Sequence, residues 1–352
     1  MNNNFHAIRL PILPIILFVL LALVTVAIGA IDLSGQSRKT LLANDSWTHQ
    51  SRGVQDADRA VIVAQKAKIK KAHAQKKNAA KAMDPQKAVD SLNRIDREKM
   101  EHYKAINGAL EEQKNLMDAY ANKSNTQEMQ DNFKVSSDNA YSALKELRRL
   151  TDEQIDIYNQ TTKDEQAIKT ANSTYYTWEN AVSGLSSEPL DDAKLAELDK
   201  KIHDSANEAV ASANEEAKSV TPEDVAEEDK TIIKDELLTD GSSVQSGMRS
   251  TMEDMSVVFS EIIKVMQVAT GKSSNPLGKV IGAIKGSKSV PLDANVVEVL
   301  KVLQSFFNMM ASNMASFDNS FGGLMQSTGA MAGVQVEQAP ALTVPSFDIG
   351  NL

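Results

Sequence analysis

One short stretch of this sequence has residues of the kind that bind phosphate. Gly271-Lys272-Ser273 matches the end of a P-loop, the glycine-rich turn that holds nucleotide phosphates. The first glycine of that motif would fall on Met266, and a helical pattern precedes it where the motif requires a strand. The match is therefore interpreted as coincidental.

The histidines could serve as metal ligands or proton carriers, but they are scattered: His6, His49, His73, His102 and His203. His102 lies four residues after Glu98, and His203 follows Asp199 at the same distance. Such spacing places an acid and a histidine on one helix face. Neither pair has further ligands nearby in sequence, so both are interpreted as surface ion pairs rather than metal sites.

Other catalytic chemistry finds little support. The chain has no cysteine, which excludes disulfides, zinc fingers and thiol catalysis together. Nine of the fourteen methionines follow Gly247; thioethers suit Cu(I), but these positions keep a helical period, which favours core packing. The net charge of −9 argues against nucleic acid as the main partner. The sequence therefore predicts no enzyme, no cofactor and no metal site.

An uncharged apolar segment at residues 10–31 predicts a transmembrane anchor. Its twenty-two residues would span about 33 Å as a helix, enough for a bilayer core. The alternative is a cleaved signal peptide, but its apolar part is shorter, about 7–15 residues, and Ile28 before Ala30 makes a poor cleavage site. Residues chosen to represent the anchor are Leu10, Ile16, Phe18, Leu21 and Ile31.

The orientation of this anchor is weakly specified by charge. Arg9 precedes it, and Arg38 and Lys39 follow it, so the positive-inside rule barely separates the two orientations. A short N-terminal tail generally stays in the cytoplasm, while large domains translocate despite their charges. We therefore expect a single-pass membrane protein whose body is periplasmic or extracellular.

The body after the anchor is predicted to be all-α, an elongated helical bundle or coiled-coil-like body that ends in a helical hairpin. Gly and Pro are sparse, and Ala- and Lys-rich residues 56–82 favour helix. The lysines of 56–82 are interpreted as a solvated helix face; the alternative is a patch for anionic lipid or an acidic partner surface. The acidic segment 188–237 could dock onto it within one bundle or align subunits head to tail.

Several local signals predict helix boundaries. Asp84-Pro85 predicts an N-cap followed by proline at the first helical position. A further helical run that carries Ala140 and Leu144 is expected to be re-capped at Thr151 and to continue to Ser187-Glu188-Pro189. Thr221-Pro222 predicts a further N-cap, and Thr239-Asp240-Gly241 predicts a turn. Three polar residues interrupt the apolar register of the helix after Pro85: Asp96, Lys99 and Gln113.

The clearest pattern is an apolar 3–4 spacing in two C-terminal segments, which predicts helices packed along a seam. Its residues are Met252, Met255, Phe259, Ile262, Met266, Leu300, Leu303, Phe307, Met310, Met314, Phe317, Phe321 and Leu324. We call this set the C-terminal seam. The second segment is almost free of charge, so it should be buried in the bundle or between subunits. Accordingly, Met314→Asp should prevent folding or assembly, whereas Asn313→Asp should change little.

Between the two seam segments lies a glycine-rich stretch, residues 271–290. Glycines recur every fourth residue beside lysines: Gly278, Gly282 and Gly286, with Lys279 and Lys285. A flexible connector at the tip of a helical hairpin is the simpler interpretation, since glycine weakens helices. The alternative is a short cationic amphipathic helix that lies on a membrane.

The predicted domains are a tail at 1–9, the anchor at 10–31, a basic stalk at 32–83, a helical bundle at 84–240, a Met/Phe-rich hairpin at 241–326 and a terminal segment at 327–352. The terminal segment is expected to be disordered or to dock on a partner. The arrangement resembles that of bacterial chemoreceptor sensor regions and single-span envelope scaffolds, but no second span or signalling hairpin is found, so no family is assigned.

Function is therefore predicted at the level of class. The first hypothesis is a membrane-anchored helical scaffold subunit of an oligomeric envelope or surface assembly, whose partners are lipid, itself or other envelope proteins. The second is a membrane-active, pore-forming or translocator-like protein that inserts 271–290. The third is a helical-bundle sensor domain, for which the sequence offers no pocket residues.

Overall fold

The computed structural model describes the backbone of residues 12–75, 83–121, 127–185, 190–269 and 294–350, and side chains from Arg38 onward except beside the gaps. All regular secondary structure in these ranges is helical, which confirms the all-α prediction. The helices are α1 (Ile12–Gln75), α2 (Pro85–Ala121), α3 (Gln127–Thr161), α4 (Glu165–Ser183), α5 (Asp192–Lys218), α6 (Glu227–Ile232), α7 (Leu238–Ala269) and α8 (Ala294–Met331). A π-helical turn, Ile233–Leu237, joins α6 to α7.

Helix α1 is the axis of the bundle. It packs against α2, α4, α5, α7 and α8, and almost every side chain from Lys39 to Ala67 is buried or half-buried. Small residues allow this close packing: a Cβ added at Gly53 would lie 2.7 Å from the Phe317 ring. A helix buried on all sides lacks a single apolar stripe, which is why its position could not be recognised from periodicity.

The other helices alternate in direction around α1. Helices α2, α4 and α7 run antiparallel to it, and α3, α5 and α8 run parallel to it. For example, Arg38 of α1 pairs with Glu261 late in α7 at 3.3 Å, while Arg59 pairs with Glu236 just before α7 at 2.6 Å. The chain therefore forms an up-and-down bundle with one helix enclosed by the rest.

The solvated interpretation of the basic segment is wrong for residues 56–69. Lys66 is 4% exposed, and its neighbours in this stretch are buried or half-buried. Only residues 71–74, at the end of the described part of α1, are exposed as expected. The lysine-rich composition was compatible with burial because acidic residues from distant helices face it.

The boundary at Asp84-Pro85 is confirmed. Helix α2 begins at Pro85, and the Asp84 carboxylate accepts hydrogen bonds from the backbone N–H groups of Gln86 and Lys87 at 2.9 and 3.1 Å. Three other boundaries are wrong. Thr151 lies inside α3, α6 starts at Glu227 rather than after Thr221, and α7 runs through the expected turn at 239–241.

The expected continuous helix through residue 161 instead breaks between α3 and α4. Lys163 adopts a left-handed conformation with φ 53°, and the Asp164 side chain then accepts hydrogen bonds from the N–H groups of Gln166 and Ala167 to cap α4. Gly241 explains the failed turn prediction: it lies in α7 where the Met325 side chain packs against the backbone. Glycine is needed there for close approach and not for a turn.

The predicted anchor lies on residues whose side chains the structure does not describe. Leu10 lies outside the described residues, and so do the side chains of Ile16, Phe18, Leu21 and Ile31, although α1 includes the backbone from Ile12. Over the side chains that are described, none of the helices combines the length and apolar character of a membrane span.

The terminal segment docks on its own chain. After Met331 the chain turns and has no regular secondary structure through Ile349, and Phe347 is 3% exposed. The Phe347 ring lies 5.0 Å from that of Phe259 and 5.4 Å from that of Phe307, centroid to centroid. Asn308 exchanges hydrogen bonds with the Phe347 backbone at 3.3 and 3.4 Å. The segment thus covers the line where α7 and α8 meet.

Candidate polar groove and buried ionic axis

All residues of the C-terminal seam are buried within this one chain: Met252, Met255, Phe259, Ile262, Met266, Leu300, Leu303, Phe307, Met310, Met314, Phe317, Phe321 and Leu324. Helix α8 packs most extensively against α5 and also contacts α7 and α1. The Phe259 and Phe307 rings meet edge to face at 5.7 Å. A second subunit is not needed to cover this seam, so the seam no longer argues for an oligomer.

A buried polar network joins α1, α2 and α3 at mid-height. The Lys99 ammonium donates to Asp58 Oδ2 at 2.9 Å and to the Gln154 side-chain oxygen. Tyr103 donates to Asp58 Oδ2 at 3.1 Å, and the Gln154 amide donates to Asp58 Oδ1 at 3.0 Å and to Tyr158 Oη at 2.8 Å. Burial, with the nearby Asp58 charge, raises the pKa of both tyrosines well above its usual value. All five side chains are buried, so the network is closed to solvent and the Lys99 and Asp58 charges compensate each other.

A second ionic cluster lies toward the end of α1. Lys66 pairs with Asp229, with both side chains 5% exposed. Lys68 pairs with Glu216 at 2.8 Å and with Asp164 at 2.7 Å. The acidic segment thus docks onto the basic stretch of α1 within one bundle, one of the two arrangements that the opposite charges suggested.

A solvent-reachable groove lies beside these buried ion pairs. Helix α1 forms its floor, and α2 and α7 form its walls. Its larger cavity measures about 390 Å³. The lining residues are Arg52, Gln55, Asp56, Met100, Lys104, Asn107, Gly108, Glu111, Asp240, Ser243 and Val244. A smaller cavity of about 260 Å³ continues the groove, sharing Arg52 and Glu111 and adding His49. Burial, with Arg52 and Lys114 nearby, lowers the pKa of His49 to about 4.

Asp56 is the most deeply placed charged group of the groove. Its residue is 1% exposed, and its Oδ2 atom has no hydrogen-bond partner in the part of the chain that the structure describes. Burial raises the pKa of Asp56 well above its usual value, and the Asp240 carboxylate raises it further against Arg59 and Arg52. Asp56 and Asp240 both line the cavity, and neither carboxylate forms an ion pair within the described residues.

Neither predicted ion pair between a histidine and an acid is formed. Glu98 pairs with Arg94 at 3.0 Å rather than with His102. Asp199 is fully buried, and its Oδ2 accepts a hydrogen bond from the Asn313 amide of α8 at 2.8 Å. His203 contacts the Asn207 amide instead, so the surface interpretation of Asp199 is wrong. Burial raises the pKa of Asp199 to about 6 although the Asn313 bond lowers it.

The sequence did not identify the groove, because Asp56 and Asp240 belong to helices far apart in the chain.

The glycine-rich residues Gly278, Gly282, Gly286, Lys279 and Lys285 lie outside the described residues. Among the side chains that are described, no cluster of three or more histidine, aspartate or glutamate residues could hold a metal ion. Comparison with protein-family models, curated proteins and solved structures gives no match.

Proposed function

We propose that this protein is a membrane-anchored helical scaffold, which acts through helix–helix interactions with other envelope proteins or with its own copies. One observation carries the proposal: α1 is a single helix from Ile12 to Gln75. Its first part carries the apolar segment of the sequence, and its later part is the enclosed axis of the bundle. A membrane anchor at 10–31 would then be continuous with the core that it positions.

The buried charges support a rigid rather than a loosely tethered body. Removing charges from water is costly unless each is paired, and Lys66, Lys99 and Arg59 on or against α1 all have acidic partners. Rotation or sliding of α1 would separate these pairs. The anchor and the bundle should therefore move as one unit, with the body on the periplasmic or extracellular side.

A flexible insertion tests whether this coupling matters. A Gly-Ser linker placed between residues 31 and 38 should leave the protein folded and in the membrane, but should shift its native complex in mild detergent to a smaller size. The same linker placed in 122–126, between α2 and α3, is the matched control because α1 stays continuous. Complexes of equal size from both insertion variants would refute the scaffold proposal. A wild-type protein that is monomeric in detergent and does not cross-link to any partner in intact membranes would also refute it.

The anchor itself is tested by carbonate washing and by intact mass. A retained anchor keeps the protein in the membrane fraction with its N-terminal residues present. Loss of about the first 27–30 residues, as signal-peptide cleavage would give, would instead make the body a soluble exported protein.

A second candidate function is membrane activity. It is favoured by the position of the two helix ends that flank residues 271–290, the end of α7 and the start of α8. Arg38 of α1 pairs with Glu261 of α7 at 3.3 Å, and Lys39 lies 5.7 Å from the Phe306 ring of α8. Ala269 is eight residues beyond Glu261, about 12 Å along a helix. Both described ends of the segment therefore lie at the anchor side of the bundle, where a cationic stretch would meet lipid.

Leakage from anionic liposomes tests this candidate. The double variant Lys279→Gln/Lys285→Gln should reduce leakage, whereas Lys200→Gln/Lys201→Gln, which removes two exposed charges from α5, should not. Absence of leakage by the wild-type protein at every lipid composition would remove membrane activity and leave the scaffold proposal unaffected.

A further inference from the structure

We propose that the groove between α2 and α7 binds a small organic ammonium compound, whose –NH₃⁺ group is held by Asp56 and Asp240. This goes beyond a scaffold role, since it makes the body a receptor for a small molecule. The proposal stands on the cavity, on an unpartnered buried oxygen and on the charges at its mouth.

The buried end of the groove requires a hydrogen-bond donor. Asp56 lines the groove, and its Oδ2 atom is buried and unpartnered among the described residues, which is unfavourable for an acceptor. A ligand would reach this oxygen by a rotation of the Asp56 side chain toward the cavity. No lysine, arginine or histidine lies within ion-pair distance of Asp56 in that part of the chain. A primary ammonium offers three donors and one positive charge, which suits two carboxylates that share one cavity.

The remainder of the cavity suits a short aliphatic compound. Its volume of about 390 Å³ admits a molecule of several heavy atoms, and Met100 and Val244 supply apolar contacts. A Cβ added at Gly108 would meet no described atom within 4 Å, so this part of the wall is open. Gly108 is exposed, so this open space lies at the rim of the cavity.

The charges at the mouth of the groove indicate which ammonium compounds fit best. Arg52 is exposed and lies near Asp56, and the described residues place no carboxylate within ion-pair distance of it. Arg52 can therefore accept a carboxylate from the ligand, which favours an amino acid over a simple amine. A divalent metal is less suited, because it needs several oxygen ligands grouped around it, and the described side chains form no cluster of three or more histidine, aspartate or glutamate residues.

Isothermal titration calorimetry on the full chain in mild non-ionic detergent tests the site. The probes are propylamine, β-alanine and MgCl₂, so that the first two separate an amine from an amino acid. Asp56→Asn keeps the shape of the side chain and removes its charge. Gly108→Leu adds a side chain into open space. Asp138→Asn removes one exposed, unpaired charge from α3 and is the matched control.

We expect one molecule of propylamine or β-alanine to bind per chain. Asp56→Asn should weaken binding about tenfold to a hundredfold, the usual effect of losing a charge-assisted hydrogen bond. Gly108→Leu should weaken it also, and Asp138→Asn should leave it unchanged. Absence of saturable binding by both organic probes in the millimolar range, equal binding by all variants, or Mg²⁺ binding that Asp56→Asn abolishes would overturn the proposal.

Proton release gives a second readout that a merely structural aspartate would not produce. Burial raises the pKa of Asp56, so the carboxyl binds a proton more readily than usual while the groove is empty. An ammonium ligand would displace that proton. The apparent binding enthalpy should then differ between buffers of different ionisation enthalpy, and should not differ in Asp56→Asn. The charged groups that face Asp56 are Arg52 and Arg59 of α1, Lys104 and Glu111 of α2, and Asp240 of α7.

Discussion

The Lys99 ammonium of α2 lies 2.9 Å from Asp58 Oδ2 of α1, and both side chains are 1% exposed. Removing one partner leaves a buried charge uncompensated. Lys99→Met should therefore lower the free energy of unfolding by about 3–5 kcal/mol, as measured by chemical unfolding in mild detergent. Lys145→Met, which removes an exposed lysine from α3, should change it by about 0.5 kcal/mol or less.

The double variant Asp58→Asn/Lys99→Met distinguishes charge from packing in the same network. It removes both charges and should recover part of the stability that Lys99→Met loses. If the double variant is less stable than Lys99→Met by the full cost of Asp58→Asn, the two groups are not coupled.

Substitutions at consecutive positions of α8 should have unequal effects. Met314→Asp places a charge in the fully buried seam and should prevent folding. Asn313→Asp, expected from sequence to be tolerated, should cost about 1–3 kcal/mol, because it replaces the donor to the buried Asp199 carboxylate. Ser312→Asp adds the same charge at an exposed position and should be neutral. Melting temperatures that fall equally in all three variants would contradict this placement.

Asp199 should make stability depend on pH in a definite direction. Its pKa is raised from 3.8 to about 6 by burial, so protonation favours the folded state. The stabilisation is complete below about pH 3.8 and is lost as the pH rises through 6. Relative to Asp199→Asn, the wild-type protein should gain up to about 3 kcal/mol between pH 7 and pH 4.

The comparison with Asp199→Asn isolates this carboxyl from an opposing group. The pKa of His49 is lowered to about 4, so the folded state loses stability as the pH falls from 6.5 through 4. Because both proteins contain His49, its contribution cancels in the difference between them. A difference that is flat with pH would show that Asp199 is not buried as described.

The docked terminal segment should be released by Phe347→Ala. The substitution removes a buried ring that packs on Phe259 and Phe307, so the segment should become sensitive to protease and the protein less stable by about 3 kcal/mol. Val344→Ala shortens a side chain that is 47% exposed and is the control. Equal cleavage of the two variants would mean that the segment is not held by this ring.

Local patterns identified the helical class, the start of α2 and the apolar face of α8, because each depends on residues close together in sequence. The partners of α8 could not be derived in the same way. Its seam packs most extensively against α5, whose buried face is built largely from small residues such as Ala206, Ala209 and Ala213. Such a face lacks the large apolar side chains that a periodicity search detects.

The buried charges explain most of the remaining errors. Asp58, Lys66 and Lys99 look solvent-exposed in a sequence, because an isolated charge is seldom buried. Their partners come from other helices, and only the folded arrangement shows them. The groove was missed for the same reason: Asp56 and Asp240 are unremarkable separately, and together they form a site.

The position of α1 also determines the order in which the protein can mature during synthesis. Gly53 of α1 packs against Phe317 and Phe321 of α8, which are synthesised about 260 residues later. At usual translation rates the two are separated by on the order of tens of seconds. During that interval the side chains of α1 that pack against α8 remain exposed, so the nascent chain should depend on chaperones. A premature stop before α8 should yield a product that is degraded rather than partly functional.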